Sequence, residues 1–457
     1  MPAKYHITTQ PVPNRFAPVI RSGVIAWEEG CLKCVRCVKK ECVYKVYEKR
    51  ALDPRQMIDS LDSICKDCFR CVQNCPNRLI EKGFNPSYKA LGDDYWTPDI
   101  LSNVWFQAET GRIPVSGAGY GGPFSGPGFD SMWTDMSEIV RPTRDGIHGR
   151  EYISTTVDLG RKVKFLNFEK GDGYVPSSIP PLVELPLPAI FDLLPFSPPG
   201  RLIQQAILGA ARSVKTLAVV RASEWQGDYM PYLNETLLYL DEIRPEVEAL
   251  LGAARLVEIP DGADVPSRRT ALKAKNPGLV VAIRLPVGEH SARRAADLVQ
   301  EGAEVIHLVA DAHGVDGQGR FIKDRMKEIH LHLVEKGIRD LVTLIGGGGV
   351  AMAEHMAKLI ICGADAVSCD IALLIAMECH VCKRCTAGIP CPVALDLVNP
   401  GWGAARIRNL VAGWHNQLIE ILGAMGIREV RRLRGEMGRA MFYEELEKEF
   451  ATLGKRG

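Results

Sequence analysis

At 457 residues with 46% hydrophobic content, the chain is long enough to bury a full core and to hold more than one domain. Its 56 basic and 55 acidic side chains leave a formal charge of +1 with no long run of one sign, which gives no electrostatic case for nucleic acid or a membrane surface. The opening MPAKYHITTQPVPN lacks an apolar leader and no stretch of about 18 apolar residues occurs. The expectation is a cytoplasmic protein that does not span a membrane and whose partner is a small molecule or another protein.

Of 14 cysteines, all but Cys362 and Cys369 fall into three tight groups of four. Metal clusters explain that grouping better than disulfides do. Residues 1–24 are polar and proline-containing and read as an extended arm laid over another surface. Within residues 25–90, CLKCVRCVKKEC supplies Cys31, Cys34, Cys37 and Cys42, and CKDCFRCVQNCP supplies Cys65, Cys68, Cys71 and Cys75. Both runs resemble bacterial ferredoxin motifs, in which the fourth cysteine of each run ligates the other cluster. That pairs Cys31, Cys34 and Cys37 with Cys75, and Cys65, Cys68 and Cys71 with Cys42, for two [4Fe-4S] clusters. The first run departs from the pattern with four residues before Cys42 and with Val43 where proline is usual. Two zinc sites are the alternative, poorly served by cysteines in triplets.

Residues 91–180 form a Gly/Pro-rich connecting region, with SGAGYGGPFSGPGF at its centre, and the whole stretch from Glu81 to Lys170 reads as loop. It carries Arg141, Arg144, His148 and Arg150, a set suited to a phosphate or carboxylate and equally to a solvated basic loop. Over residues 181–400 apolar strands alternate with amphipathic segments: Leu182–Ile190, Lys215–Arg221, Leu256–Ile259, Leu279–Leu285, Glu304–Ala310, Leu341–Ile345 and Ala366–Cys369, with helices such as Asn234–Leu251 and Ser291–Glu301 between. The alternation predicts a parallel sheet, and a (β/α)8 barrel is the fold class expected. An eighth strand is then required, from Ile113–Ser116 or Tyr152–Val157. A doubly wound open sheet is the runner-up, though no G-x-G-x-x-G turn follows the early strands. Residues 401–457 form a helical tail.

Chemistry in a barrel gathers where strands run out into the loops that follow. Those positions offer Glu224, Arg284, Asp311, His313 and Gly347 to Gly349. Arg284 suits the electron-rich edge of a flavin, or a structural ion pair with Asp311; His313 suits a general acid or substrate donor. Gly346 to Gly349 ahead of a helix, followed by the strand Ala366–Cys369, suit a phosphate. Immediately after come Cys379, Cys382, Cys385 and Cys391 with Pro392, four thiols that favour a third iron–sulfur cluster.

GADAVSCDIALLIAMEC, with GLVVAIRLP, AEVIHLVAD and LVTLIGGGG upstream and RIRNLVAGWHNQLIEILGAMGIREVRRLRGE downstream, resembles the FMN-binding domain of glutamate synthase, here in a form with an N-terminal two-cluster ferredoxin-like domain. The resemblance covers roughly Leu279–Glu436. It implies a TIM-like barrel binding FMN, with Gly347, Gly348, Gly349 and the amides around Asp370 and Ile371 on the phosphate and with Arg284 near the flavin and substrate; Arg284 and the strand-end residues Asp311 and His313 are the catalytic candidates. The family's third cluster is a three-cysteine [3Fe-4S] site; the added Cys382 favours [4Fe-4S]. Val350 and Ala351 stand where the family's phosphate loop has polar residues, Asp370 replaces a glycine, and no Asn-Thr-Gly-Glu-Gly-Gly segment occurs. The reading is an iron–sulfur flavoprotein relaying electrons between clusters and FMN as a subunit of a larger redox complex. The alternatives are a ferredoxin-dependent glutamate synthase supplied with ammonia by a partner, and a scaffold that has lost its flavin.

Overall fold

The computed structural model describes residues 5–26, 30–47, 64–113, 128–134, 153–163, 165, 168–170, 174–176, 180–196, 200–242 and 244–453. At its centre eight parallel strands close a barrel: β1 (Ala189–Phe191), β2 (Ala218–Arg221), β3 (Thr236–Tyr239), β4 (Leu256–Pro260), β5 (Val280–Pro286), β6 (Val305–Val309), β7 (Thr343–Gly347) and β8 (Ala366–Cys369). Each strand pairs with its sequence neighbour and β8 closes on β1, which is the expected (β/α)8 topology. Strands covered on both faces must be apolar throughout, and in β5 the residues Val280 to Ile283 are all 0% exposed.

Two expectations change. The eighth strand is β3, inside the segment Asn234–Leu251 that reads as one helix; the helix α3 starts only at Pro245 (Pro245–Leu250). A four-residue apolar run such as TLLY has no period of its own, so it merges with the helical spacing that follows. Of the stretches expected to supply that strand, residues 114–116 and 152 lie outside the described residues, and Val157–Leu159 pairs antiparallel with Val183–Leu185 away from the barrel. The expected strand Leu182–Ile190 is therefore two short ones.

The second change is helix α1 (Pro98–Thr110), which lies in the stretch that reads as loop. Its signals are local: Thr97 caps Ile100 N, Pro98 occupies the first turn and Gly111 ends it at φ +68°. Trp96, Leu101, Val104 and Trp105 bury against the barrel's helices, so glycine and proline around the helix had masked part of the core.

The remaining elements position the cysteines. Helix α2 (Arg201–Val214) follows β1, α4 (Val265–Lys275) follows β4, α5 (Ser291–Gln300) follows β5, α6 (Ile322–Glu335) follows β6, α7 (Ala353–Ile361) follows β7 and α8 (Ile371–Ala376) follows β8. The segment Cys379–Cys391 runs from α8 to the 25-residue α9 (Pro400–Ala424), which packs on α1 and α2. Near the N-terminus Ser22–Ala26 pairs antiparallel with Ile80–Phe84, bracketing the first two cysteine runs. No described helix is long and apolar enough to cross a membrane.

Candidate functional site

Three loops share one unusual backbone. Left-handed, non-glycine residues stand two places after the first cysteine of each group (Lys33, Asp67, Val381), one place after the second (Val35, Phe69, Lys383) and three places after the fourth (Lys45, Arg78, Ala394). These nine are most of the eleven such residues among those described. For a residue with a Cβ this conformation costs about 1–2 kcal/mol, and more for the β-branched Val35 and Val381. Strain repeated at matching positions in three loops needs an offsetting interaction, and the conformation turns backbone N–H groups inward, as in nests that hold anions and iron–sulfur groups. The amides of Val46, Leu79 and Val381 do point at sulfur, on Cys42 (3.3 Å), Cys75 (3.3 Å) and Cys379 (3.4 Å).

Cys42 lines one cavity together with Cys65, Cys68 and Cys71. Lys82 reaches the same group, donating to Cys65 Sγ at 3.1 Å while paired with Asp67 at 2.7 Å. A second cavity, of about 540 Å³, is lined by Cys379, Cys382, Cys385 and Cys391. Burial pushes the Cys379 thiol up to about 12, with the neighbouring thiols adding to it, and raises Cys385 as well. A metal entering this loop must therefore displace protons, so its capture strengthens as pH rises. The sulfur donors, their loops and the cavity fit iron–sulfur clusters. Cys362 and Cys369 are different: burial holds Cys362 up to about 12 and Cys369 well above the ordinary thiol range, so both are inert core residues.

The C-terminal mouth of the barrel holds a closed polar network. Arg284, on β5, gives Nη1 and Nη2 to the two oxygens of Asp192 at 2.8 and 3.0 Å, and Nη1 also to Glu258 at 3.1 Å. His307, the register partner of Arg284 on β6, contacts Glu258 at 2.6 Å through Nδ1 and Ser368 at 2.8 Å through Nε2. Ser368 in turn donates to Asp192 at 3.1 Å. Burial alone would raise Asp192, but Arg284 and His307 outweigh it and hold the carboxylate at about 2. The expected ion pair of Arg284 is thus made with Asp192 and Glu258 and not with Asp311. Asp192, Glu258, His307 and Ser368 were not singled out from sequence; their signal was a polar residue within or abutting an apolar strand, as in LVEIP and VIHLV.

The ends of β7 and β8 carry the residues expected on a phosphate. Residues Gly347 to Ala351 are buried. A Cβ on Gly347 would lie 2.0 Å from Ser368 Oγ, so this glycine serves the polar network. Gly349, at φ +67°, accepts from Tyr95 Oη at 2.5 Å, and Ala351 N donates to His355 Nδ1 at 3.2 Å. Asp370 caps α8 with its own carboxylate, taking Ile371 N at 2.6 Å. Burial pushes that carboxyl up to about 7 despite this hydrogen bond. Of the five residues expected on an FMN phosphate, Ile371 spends its amide on Asp370 and Gly349 gives its carbonyl to Tyr95, and the Asp370 carboxylate would oppose a phosphate at that point when ionised.

Asp311 is exposed and accepts the amides of His313 and Val315, which makes it the cap of its own loop. His313 is bound to Asp93 at 2.9 Å, and Asp93 also takes Lys383 at 3.2 Å, so the β6 loop and the third cysteine loop meet on one carboxylate. Glu224 is exposed beside Arg221. Arg141, Arg144, His148 and Arg150 lie outside the described residues.

Residues 241–428 match the conserved region in glutamate synthase. The chain is 24% identical to an archaeal-type glutamate synthase [NADPH] of Dehalococcoides mccartyi, with 89% of this chain and 92% of that protein covered. It is 25% identical to an archaeal glutamate synthase [NADPH] of Archaeoglobus fulgidus, covering 94% of this chain and 96% of that protein. Among solved structures a mutant of flavocytochrome b2 aligns at a TM-score of 0.43 and 11% identity, over 78% of this chain and 81% of that one.

Proposed function

We propose, from the match to the conserved region in glutamate synthase and from archaeal-type glutamate synthases that align over most of the chain, a glutamate synthase-like iron–sulfur oxidoreductase that holds three [4Fe-4S] clusters and handles electrons within a larger redox assembly. The ligand sets are Cys31, Cys34, Cys37 with Cys75; Cys65, Cys68, Cys71 with Cys42; and Cys379, Cys382, Cys385 with Cys391. When bound, the clusters supply one-electron exchange. The observation that carries the reading is the left-handed backbone pattern repeated around all three cysteine groups. It favours Cys382 as a full ligand, because Val381 and Lys383 on either side of it take the same conformation as their counterparts around Cys34 and Cys68.

The protein's own groups then tune what the cysteines hold. Lys82, with its side chain 5% exposed, keeps a positive charge against Cys65 and so favours the more negative, reduced state of whatever that sulfur ligates. The amides on Cys42, Cys75 and Cys379 act in the same direction. Fourteen cysteines without a disulfide among the described residues suit the reducing cytoplasm.

The family supports FMN as cofactor, where it would exchange one or two electrons at the barrel mouth. Arg284 is the cation available there, and its bidentate grip on Asp192 fixes where that charge points. Glutamate formation from 2-oxoglutarate is the second reading, favoured by relatives of that printed name that match most of the chain.

The test is metal and flavin content of the anaerobically purified protein. Three clusters predict roughly 12 iron and 12 acid-labile sulfide per chain, and Cys382→Ser lowers iron and alters the third cluster's electron paramagnetic resonance signal. Roughly 8 iron in the parent protein, with no change on Cys382→Ser, removes the third cluster. Reoxidation of the reduced protein by 2-oxoglutarate decides the second reading.

A further inference from the structure

Side chains of α9 hold the N-terminal arm between Gln10 and Pro13. Asn409 donates to Gln10 O at 2.7 Å, Arg406 to Val12 O at 3.1 Å and Trp402 Nε1 to Pro13 O at 3.0 Å, so side chains spaced by helical turns hold three carbonyls of the arm. The arm is thereby aimed at one point, where Arg15 meets the third cysteine loop. Its backbone N donates to Glu378 Oε1 at 2.6 Å and its Nε donates to Glu378 Oε2 at 3.1 Å. Its Nη2 reaches Val393 O at 2.8 Å and its Nη1 Ala394 O at 3.4 Å. The guanidinium also lies over the Trp402 ring, 4.6 Å from its centre.

These contacts fall on the two ends of one loop. Glu378 directly precedes Cys379, and Val393 and Ala394 follow Cys391 by two and three residues. Glu378 is 5% exposed and sits at φ +76°, and Ala394 at φ +41°, so both loop ends are held in conformations that cost energy. A planar guanidinium suits this task, since it can serve a carboxylate and two carbonyls at fixed angles at once.

We propose that Arg15 is a positioning residue for the third cluster: it clamps the loop's two ends together so that Cys379 and Cys391 face the same cavity, and it neutralises Glu378 beside them. The proposal rests on the third-cluster reading above. It assigns the arm a role as the cluster's lock. Loss of the clamp frees the loop ends and leaves the buried Glu378 carboxylate with only the Phe16 amide at 3.4 Å and the charge of Arg406 to offset it, next to a group that gains negative charge on reduction. Faster cluster loss and a more negative potential both follow.

The experiment compares parent protein, Arg15→Ala, Arg15→Lys and Glu378→Gln for iron release to a chelator and for the reduction potential of the third cluster, followed by electron paramagnetic resonance. The expected result for Arg15→Ala is at least tenfold faster release of roughly 4 of 12 iron, a lowered potential for that cluster, and unchanged N-terminal signals in the same molecules. Arg15→Lys, which keeps the charge, restores the potential but not the retention. Glu378→Gln raises the potential and speeds release, and it decides the clamp should Arg15→Ala not accumulate. Equal release and equal potential in parent and Arg15→Ala overturn the clamp while leaving the third cluster standing. A parent protein with roughly 8 iron overturns the third cluster and the clamp with it.

Discussion

The cysteine loops and the barrel mouth treat polar groups in opposite ways. Around Cys379–Cys391 four cysteines line a cavity of about 540 Å³, and the backbone is strained in a way that aims the Val381 amide at Cys379. At the mouth, Arg284, Asp192, Glu258, His307 and Ser368 satisfy one another, and after β7 and β8 the amides of Ala351 and Ile371 are taken by His355 and Asp370. One region turns sulfurs toward a cavity; in the other the described side chains satisfy one another. Mutations should therefore separate, with cysteine-loop changes moving metal content and mouth changes moving stability.

The largest effect on stability is expected from Arg284→Ala. It leaves Asp192 and Glu258, 6% and 0% exposed, without their shared cation, and breaking one side of such a buried pair costs about 3–5 kcal/mol. Denaturant unfolding measures it, with iron per chain unchanged in the folded fraction. A loss below about 1 kcal/mol would mean that the network is wetter than its packing indicates.

Asp370→Asn comes next and has the opposite sign. Asparagine caps a helix as well as aspartate does, so α8 keeps its start. Because burial raises Asp370 from 3.8 to about 7, the folded state holds its proton more tightly than the unfolded state. Its contribution is most favourable below the unfolded value and is lost as pH rises toward 7. Asp192, lowered from 3.8 to about 2, contributes stability above 3.8 that is lost as pH falls toward 2. The substitution should remove the decline between about pH 4 and 7 and add on the order of 2–4 kcal/mol at pH 8, leaving the acid limb set by Asp192. An unaltered pH profile would show that Asp370 ionises freely. Flavin per chain on the same preparations reports whether that carboxylate opposes a phosphate.

How far each region could be read in advance follows from chain separation. Cys31 to Cys42, Cys65 to Cys75 and Cys379 to Cys391 are local groups whose spacing carries their chemistry, so all twelve were named from sequence. The mouth joins residues far apart: Asp192 and Arg284 are 92 positions from each other, and Tyr95 and Gly349 are 254 apart. A single sequence holds no signal for such a meeting except a charge placed in an apolar strand. The barrel itself was legible as alternation, since seven of its strands are apolar runs flanked by turns. β3 was missed because TLLYL runs straight into a helix-like pattern, and α1 because its capping signals lie between stretches rich in glycine and proline.

The smallest effect should come from Tyr95→Phe, and it tests the closed mouth most finely. Phenylalanine keeps the ring contacts with Trp96, His313 and Phe321 and removes only the hydroxyl on Gly349 O. If that carbonyl is left without a partner, the cost is about 1 kcal/mol, visible as a small shift of the unfolding midpoint at constant slope. If water reaches it instead, the change falls within about 0.5 kcal/mol, and the mouth is more open than the buried Gly347 to Ala351 suggest. The two results differ in what they predict for flavin. A cost with increased flavin content identifies Tyr95 as a competitor for the β7 loop, whereas a cost with unchanged flavin shows that the loop is closed by Asp370 and His355 whether or not Tyr95 holds it. Iron content should not move in either case, because the hydroxyl that is removed bonds the β7 loop at Gly349 and not a cysteine loop.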